Sequence, residues 1–227
     1  MPTIHATAQV DAGASLAPGV EVGAYSIVGA HVEVGAGTWI GPHAIVTGRT
    51  RIGARNRIFQ FSSVGEIPQD RGDTTIGNGN LFLAYTHVAH DCVVGNFTTF
   101  SNNAQIAGHV VIDDYVVLGA YAGVHQFCRI GAHAMIAAGA IVLQDVPPYV
   151  TAAGYPAKPA GTNNEGLRRR GFSTDDIAAV RRAYKMLYRR GLSLEDARAA
   201  LASAAAEAPL LATLVAFLST SERGIVR

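Results

Sequence analysis

Counted in sixes from Ile4 to Val142, 23 of 24 positions are apolar, and Asp70 is the single exception. No α-helix has that period. It is the period of hexapeptide β-helix repeats, in which each short strand buries one large residue. A glycine often follows that residue, as at Gly23, Gly35 and Gly95, and is expected to permit the corner backbone. The fourth residue after it is small or β-branched, as at Ser26, Thr38, Cys92 and Cys128, and should pack inside the next bend. Three hexads make one triangular coil, so residues 18 apart should stack at roughly 4.7–4.9 Å. The 139 residues from Ile4 to Val142 then make about eight coils, on a single clock.

The composition follows from that clock. The chain is 49% hydrophobic but only 15% charged and 7% aromatic, with 25 glycines and one Trp among 227 residues. Low charge and high apolar content exclude a disordered chain. No apolar run approaches the roughly 18 residues of a membrane span, and the start at Met1 to Val10 lacks a basic segment followed by an apolar one, so no signal peptide is expected. A cytoplasmic protein is the expectation. Two cysteines are too few for a disulfide framework. Cys92 and Cys128 lie two coils apart, roughly 9–10 Å, beyond the reach of a disulfide, and are expected to be buried thiols.

After Val142, Pro147-Pro148 and the stretch Tyr155 to Pro159 cannot continue the strands. Ser173 to Asp176 then resembles a capping box opening a helix to about Arg190, with Gly191 as its stop. Ser193 to Asp196 opens a second helix that should end before Pro209, and a third runs to about Ser221. The expected fold is mainly β: a parallel β-helix over 1–160 and a small C-terminal α-helical domain over 161–227. Net charge is +1 but divided: residues 1–164 carry 7 Lys/Arg against 10 Asp/Glu, and residues 165–227 carry 11 against 7. The basic end is the place for an acidic partner; the bland alternative is an ordinary solvated helix face.

On a prism, single polar residues are solvated by default, so clusters on one edge carry the information. Under the 18-residue rule His90, Gly108 and Gln126 share one vertical line, Asp91 and His109 share the next, and His87 and His125 lie nearby. His90 followed by Asp91 offers a general base beside an orienting carboxylate. Gly108, one coil above, leaves its backbone N–H unobstructed, as an oxyanion donor requires. Three imidazoles, His87, His90 and His109, could instead converge on zinc, although the chain lacks a His-x4-His pair. A third reading is that these histidines merely stack at a subunit interface, and for His5, His31, His43 and His133 that is the simpler one.

Several strings go further: Ser63-Val-Gly-Glu-Ile-Pro-Gln-Asp70, His87-Val-Ala-His-Asp-Cys92, Asn102-Asn-Ala-Gln-Ile-Ala-Gly-His109, Val124-His-Gln-Phe-Cys128, Gln144-Asp-Val-Pro-Pro-Tyr149 and Asn164-Glu-Gly-Leu-Arg-Arg-Arg-Gly-Phe172. Together they resemble the hexapeptide-repeat acyltransferases that move a 3-hydroxyacyl chain from acyl carrier protein to the 3-hydroxyl of UDP-N-acetylglucosamine, the first step of lipid A biosynthesis. The resemblance covers nearly the whole chain. It implies a left-handed β-helix, a homotrimer with sites between subunits, and no cofactor or metal. It assigns His90 as general base, Asp91 as its orienting partner and Gly108 as the oxyanion donor. His87, His109 and Gln126 would hold the sugar and the acyl carbonyl, Asp70 would meet the sugar, and Asn163, Glu165 and Arg169 would hold the nucleotide. Ala138 stands at the position that measures acyl length. The basic run Arg168 to Arg170 and the helix bearing Arg181, Arg182, Lys185, Arg189 and Arg190 would dock the carrier protein. No nucleic-acid-binding motif is present.

One departure matters. Between Asp70 and His87 the chain is roughly thirty residues shorter than the family pattern, about one coil with its loops. Gly72 stands where that pattern has a lysine, and Arg71 is the candidate replacement for the charge. Asp70 falls on an inward phase, where an unpaired carboxylate is costly, so residues 66–73 are expected to bulge outward. The alternatives to an active transferase are a shortened trimer that binds its nucleotide sugar weakly and a metal-dependent hydratase.

Overall fold

The computed structural model describes residues 1–65, 72–221 and 223–227. Each of the 23 apolar clock positions is the last residue of a strand. From Val22 onward all of them are buried. Asp70 and Arg71 lie outside the described residues, so the expectations placed on them are not addressed by the structure.

The strands form three parallel sheets, called here faces I, II and III in the order the chain first visits them. Successive strands visit the faces in turn, which makes a parallel β-helix. Partners across a coil are 18 apart, as in Thr3 with Glu21, Ile27 with Ile45 and Val93 with Val111. One coil differs. Thr50 pairs with Thr74, Arg57 with Leu81 and Ser63 with His87, each 24 apart. The six-residue phase survives, but the 18-residue stacking rule needs one correction: the coil that includes residues 66–71 carries an additional hexad.

The corner glycines also require a correction. Apart from Gly65, the glycines after the clock positions have ordinary φ. Their role is close approach: a Cβ on Gly35 would lie 2.5 Å from the Gly53 carbonyl carbon of the next coil. The left-handed corner residue comes two positions later and is usually a large ring, such as Tyr25, Phe61, Phe97 or Tyr121. Such a conformation is unfavourable for a bulky residue, and ring stacking accompanies it. Tyr25, His43, Phe61 and Tyr85 stack at 5.1, 5.3 and 5.0 Å along the edge between faces I and II. Phe97, Tyr115, His133 and Tyr149 do the same at 5.2, 4.8 and 5.8 Å between faces III and I. His43 and His133 are therefore rungs of edge ladders.

The small residues of the clock tie one coil to the next. Ser26 Oγ donates to Gly41 O at 2.6 Å, Thr38 Oγ1 to Gly53 O at 2.9 Å, and Cys92 Sγ to Ala107 O at 3.2 Å. Both cysteines are buried free thiols. Phe82 and Phe100 meet with ring centroids 4.8 Å apart and planes tilted by 42°, each fully buried and worth roughly 1.5–3 kcal/mol of apolar burial.

The sheet does not stop where the clock does. Val150–Ala153 pairs in parallel with Met135–Ile136, and Lys158–Thr162 folds back antiparallel on Val150–Ala153. Pro159 is tolerated because its strand is the outermost of face I, where one side of the backbone needs no partner. Among the described residues four α-helices follow: α1 (Asn164–Arg169), which is additional to the three expected, α2 (Thr174–Tyr188), α3 (Leu194–Glu207) and α4 (Ala212–Ser219). The capping box at Ser173 is present, with Asp176 accepting from the Ser173 backbone at 3.0 Å. Helix α2 ends two residues before the expected Arg190, and Gly191 follows with φ +67°.

Candidate active site

The edge between faces II and III carries the polar cluster. Strand His87–Val88 leads into it, and Asp91 occupies the left-handed corner with φ 58°. That conformation turns its carboxylate back onto His90, whose Nδ1 lies 2.6 Å from Asp91 Oδ2. A carboxylate only accepts, so Nδ1 carries a proton, and in the neutral ring the lone pair is then on Nε2. The Asp91 side chain is 6% exposed, which strengthens its hold on the ring. One coil above, His109 occupies the same corner with φ 60°. Its Nε2 lies 3.8 Å from Asp91 Oδ2, its ring meets His90 edge-on at 5.3 Å, and it stacks on Phe127 at 4.7 Å.

Gly108 explains where the His90 ring sits. A Cβ on residue 108 would lie 2.7 Å from His90 Cε1 and 2.8 Å from Nε2, so the imidazole occupies the space that any other side chain would fill. The Gly108 N–H makes no hydrogen bond among the described residues. On the neighbouring edge the equivalent N–H groups of Asn78 and Asn96 are taken by the side chains of Asn96 and Asp114 at 2.8 and 2.7 Å. At Gly108 the residue one coil above is Gln126, which is exposed and makes no such bond. A basic ring nitrogen and a donating N–H thus stand side by side. Face II beside them forms a cleft of about 410 Å³ lined by His87, Gln105, Gly108, His125, Ile141 and Leu143 among others.

The structure therefore gathers His87, His90, Asp91, Gly108, His109 and Gln126 on one edge and its adjoining face. It does not bring Asn163, Glu165, Arg169 or Ala138 to them within the chain. Asn163 is buried as the N-cap of α1, accepting from Gly166 N at 3.1 Å and donating to His133 O at 2.9 Å on the edge between faces III and I. Glu165 pairs with Arg168 and, at 3.0 Å, with Arg169 on the same helix. Ala138 is exposed on the third edge, with its backbone packed against Gly119 of the coil below. Gly72 packs against Asp91 so closely that any Cβ there would overlap Oδ1 of that carboxylate.

Ligand atoms of His90, Asp91 and His109 lie within 4.8 Å of one another and could supply two nitrogens and a carboxylate to a cation. His87, expected in such a trio, is not among them. Two groups escaped sequence reasoning. Phe127 was available from the 18-residue rule applied to His109. Arg223, whose Nη1 donates to Gln126 O at 2.9 Å, lies 97 residues away in sequence and left no local signal.

A parallel prism of hexapeptide turns with a histidine–aspartate pair on one edge defines a hexapeptide-repeat transferase. In agreement, residues 1–36 and 109–144 match the bacterial transferase hexapeptide family (six repeats), and residues 145–226 match the second domain of UDP-N-acetylglucosamine O-acyltransferase. The acyl-(acyl-carrier-protein)--UDP-N-acetylglucosamine O-acyltransferase of Thiobacillus denitrificans is 49% identical with both chains fully covered, and that of Herminiimonas arsenicoxydans is 50% identical, also in full. The solved structure of LpxA from Acinetobacter baumannii superposes with a TM-score of 0.86 at 40% identity, covering 99% of each chain. This chain belongs to the acyl-(acyl-carrier-protein)--UDP-N-acetylglucosamine O-acyltransferase family of enzymes. Alignment with the Thiobacillus relative runs over 258 positions against 227 residues here, so at least 31 aligned positions have no counterpart in this chain. No helix among the described residues is long and apolar enough to cross a membrane.

Proposed function

We propose that this enzyme transfers a 3-hydroxyacyl group from acyl carrier protein to the 3-hydroxyl of UDP-N-acetylglucosamine in the cytoplasm, opening lipid A biosynthesis. The observation that carries the reading is the His90 ring, tied to Asp91 at 2.6 Å and seated over Gly108. His90 Nε2 takes the proton of the sugar hydroxyl as its oxygen attacks the thioester carbon. The new C–O bond forms as the carbonyl π pair moves onto oxygen, and that oxyanion accepts from the Gly108 N–H. Collapse of the intermediate expels the carrier's thiolate, which recovers the proton from His90. Asp91 stabilises the imidazolium between the two transfers. The sequence of steps needs no cofactor. His87, His109 and Gln126 line the ground on which the sugar and acyl carbonyl would sit, and Asp70 is the remaining candidate for the sugar.

We also infer a homotrimer. The base lies on one edge of the prism, Asn163, Glu165 and Arg169 on a second and Ala138 on the third, so one small substrate meets all of them only if edges of neighbouring chains come together. Arg169 is held by an exposed pair worth at most about 1 kcal/mol and can exchange Glu165 for a diphosphate.

The test is acyl transfer from 3-hydroxyacyl carrier protein to UDP-N-acetylglucosamine. His90→Ala should lower kcat by roughly 10²–10⁴, and full activity in that variant would remove His90 from the role. Mixing His90→Ala chains with Arg169→Ala chains should restore part of the activity if the site spans two subunits. An inactive wild type with weak calorimetric binding of the nucleotide sugar would favour the shortened, weak-binding trimer, to which the missing 31 positions point. The cluster of His90, Asp91 and His109 keeps one other reading in view: stoichiometric zinc in the purified protein would favour a hydratase.

A further inference from the structure

The last residues of the chain are strapped across the top of the prism by one buried carboxylate. Asp145 is 1% exposed. Its Oδ1 accepts from Arg129 N at 2.8 Å and its Oδ2 from Ser221 Oγ at 2.7 Å. Its backbone N–H donates to Gly224 O at 3.0 Å, and its carbonyl accepts from Val226 N at 2.9 Å. Ordinary surface tails fray; this one is tied on both sides of residue 223. The result is a fixed guanidinium: Arg223 Nη1 donates to Gln126 O, which also accepts from His125 Nδ1 at 3.1 Å.

Gln126 stands one coil above Gly108 and two above His90, roughly 9–10 Å along the prism axis from the base. Arg223 is exposed and, among the described residues, has no carboxylate within ion-pair distance. Among the described residues, one of its five N–H donors is engaged, by Gln126 O. The other nearby arginine, Arg129, is committed, with Nη1 on Thr220 Oγ1 at 2.6 Å and its guanidinium over the Phe217 ring at 4.9 Å. A planar guanidinium with no ion pair among the described residues, at the end of a catalytic edge, suits one ligand chemistry above others, a phosphate ester or diphosphate held by paired N–H donors.

We propose that Arg223 is a substrate-phosphate contact of this site. The proposal rests on the acyl-transfer reading for its two candidate ligands, the diphosphate of the nucleotide sugar and the phosphate of the carrier's phosphopantetheine arm. The same residue would then fix how far along the edge that phosphate sits from His90.

Arg223→Met keeps much of the stem and removes the charge, and Arg223→Lys keeps the charge without the fork. Calorimetric titration with UDP-N-acetylglucosamine and with free acyl-phosphopantetheine reads binding without turnover. Loss of a charge-assisted hydrogen bond should weaken one of the two by about tenfold or more in Arg223→Met, with partial recovery in Arg223→Lys and a melting temperature equal to wild type. A weaker nucleotide sugar identifies the diphosphate; a weaker phosphopantetheine identifies the carrier arm. Unchanged binding of both ligands in Arg223→Met overturns the proposal. A wild type that binds both ligands but transfers no acyl group would refute the acyl-transfer reading while leaving the role of Arg223 intact.

Discussion

Gly108→Ala isolates the geometry on which the proposed chemistry depends. Residue 108 has no left-handed φ, so alanine fits the backbone and would by itself reduce the freedom of the unfolded chain. The new methyl would stand 2.7 Å from His90 Cε1 and 2.8 Å from Nε2. Ordinary contact begins near 3.4 Å, so the ring must retreat by about 0.7 Å. It cannot retreat freely, because Nδ1 is tied to Asp91 at 2.6 Å. Either that bond lengthens or the ring tilts and carries Nε2 off the line of the hydroxyl. A misplacement of about 1 Å can cost about 10²-fold in rate, or about 2.7 kcal/mol of barrier. The assay is steady-state acyl transfer beside thermal melting of the same preparation. The expected result is a fall in kcat of about 10² with melting within a few degrees of wild type. A Gly108→Ala enzyme with wild-type kcat would show that the ring over Gly108 is not the working position of the base.

Further outcomes follow from other parts of the fold. Burial first, then the nearby Arg170, lowers the pKa of His133 to about 4; the unfolded chain takes up that proton near 6.5, so stability should fall as pH drops from about 6.5 towards 4. In His133→Phe, which keeps a ring in the stack between Tyr115 and Tyr149, urea midpoints should lose this part of their pH slope, and an unaltered slope would assign it to other groups. Ala138→Met should move donor preference towards shorter acyl chains in a competition assay; an unchanged chain-length profile removes Ala138 from the measuring role. Arg168 and Arg169 are paired with Glu165 and Arg170 lies over Tyr115, so docking of an acidic carrier falls chiefly to the exposed Arg182, Lys185, Arg189 and Arg190 of α2 and its end. The KM for acyl carrier protein should therefore rise as salt goes from about 0.05 M to about 0.5 M, and a flat KM would argue against that surface.

The prism was legible because its physics is local and periodic. A strand of two or three residues buries one side chain, and the next corner repeats the demand six residues later. Every apolar position of the six-residue count from Ile4 to Val142 therefore marks the end of a strand. The His90, Gly108 and Gln126 line was legible for the same reason, since stacking turns sequence separation into height. The rule failed where a local count cannot see its partner. Thr50 meets Thr74 and Ser63 meets His87 because a hexad is added between them. The strands at Val150–Ala153 and Lys158–Thr162 were obscured by prolines that an outermost strand accommodates.

Residue spacing alone thus determined the repeat, the coil, the buried thiols and the column on which His90 stands. Only the tertiary structure decided the tautomer of His90, the vacancy above Gly108 that its ring fills, and the carboxylate of Asp145 that brings Arg223 to Gln126 across 97 residues. The division has a physical cause. Periodic hydrogen bonding propagates in register from one coil to the next, whereas a side-chain contact between distant segments depends on where two surfaces of the finished fold happen to close.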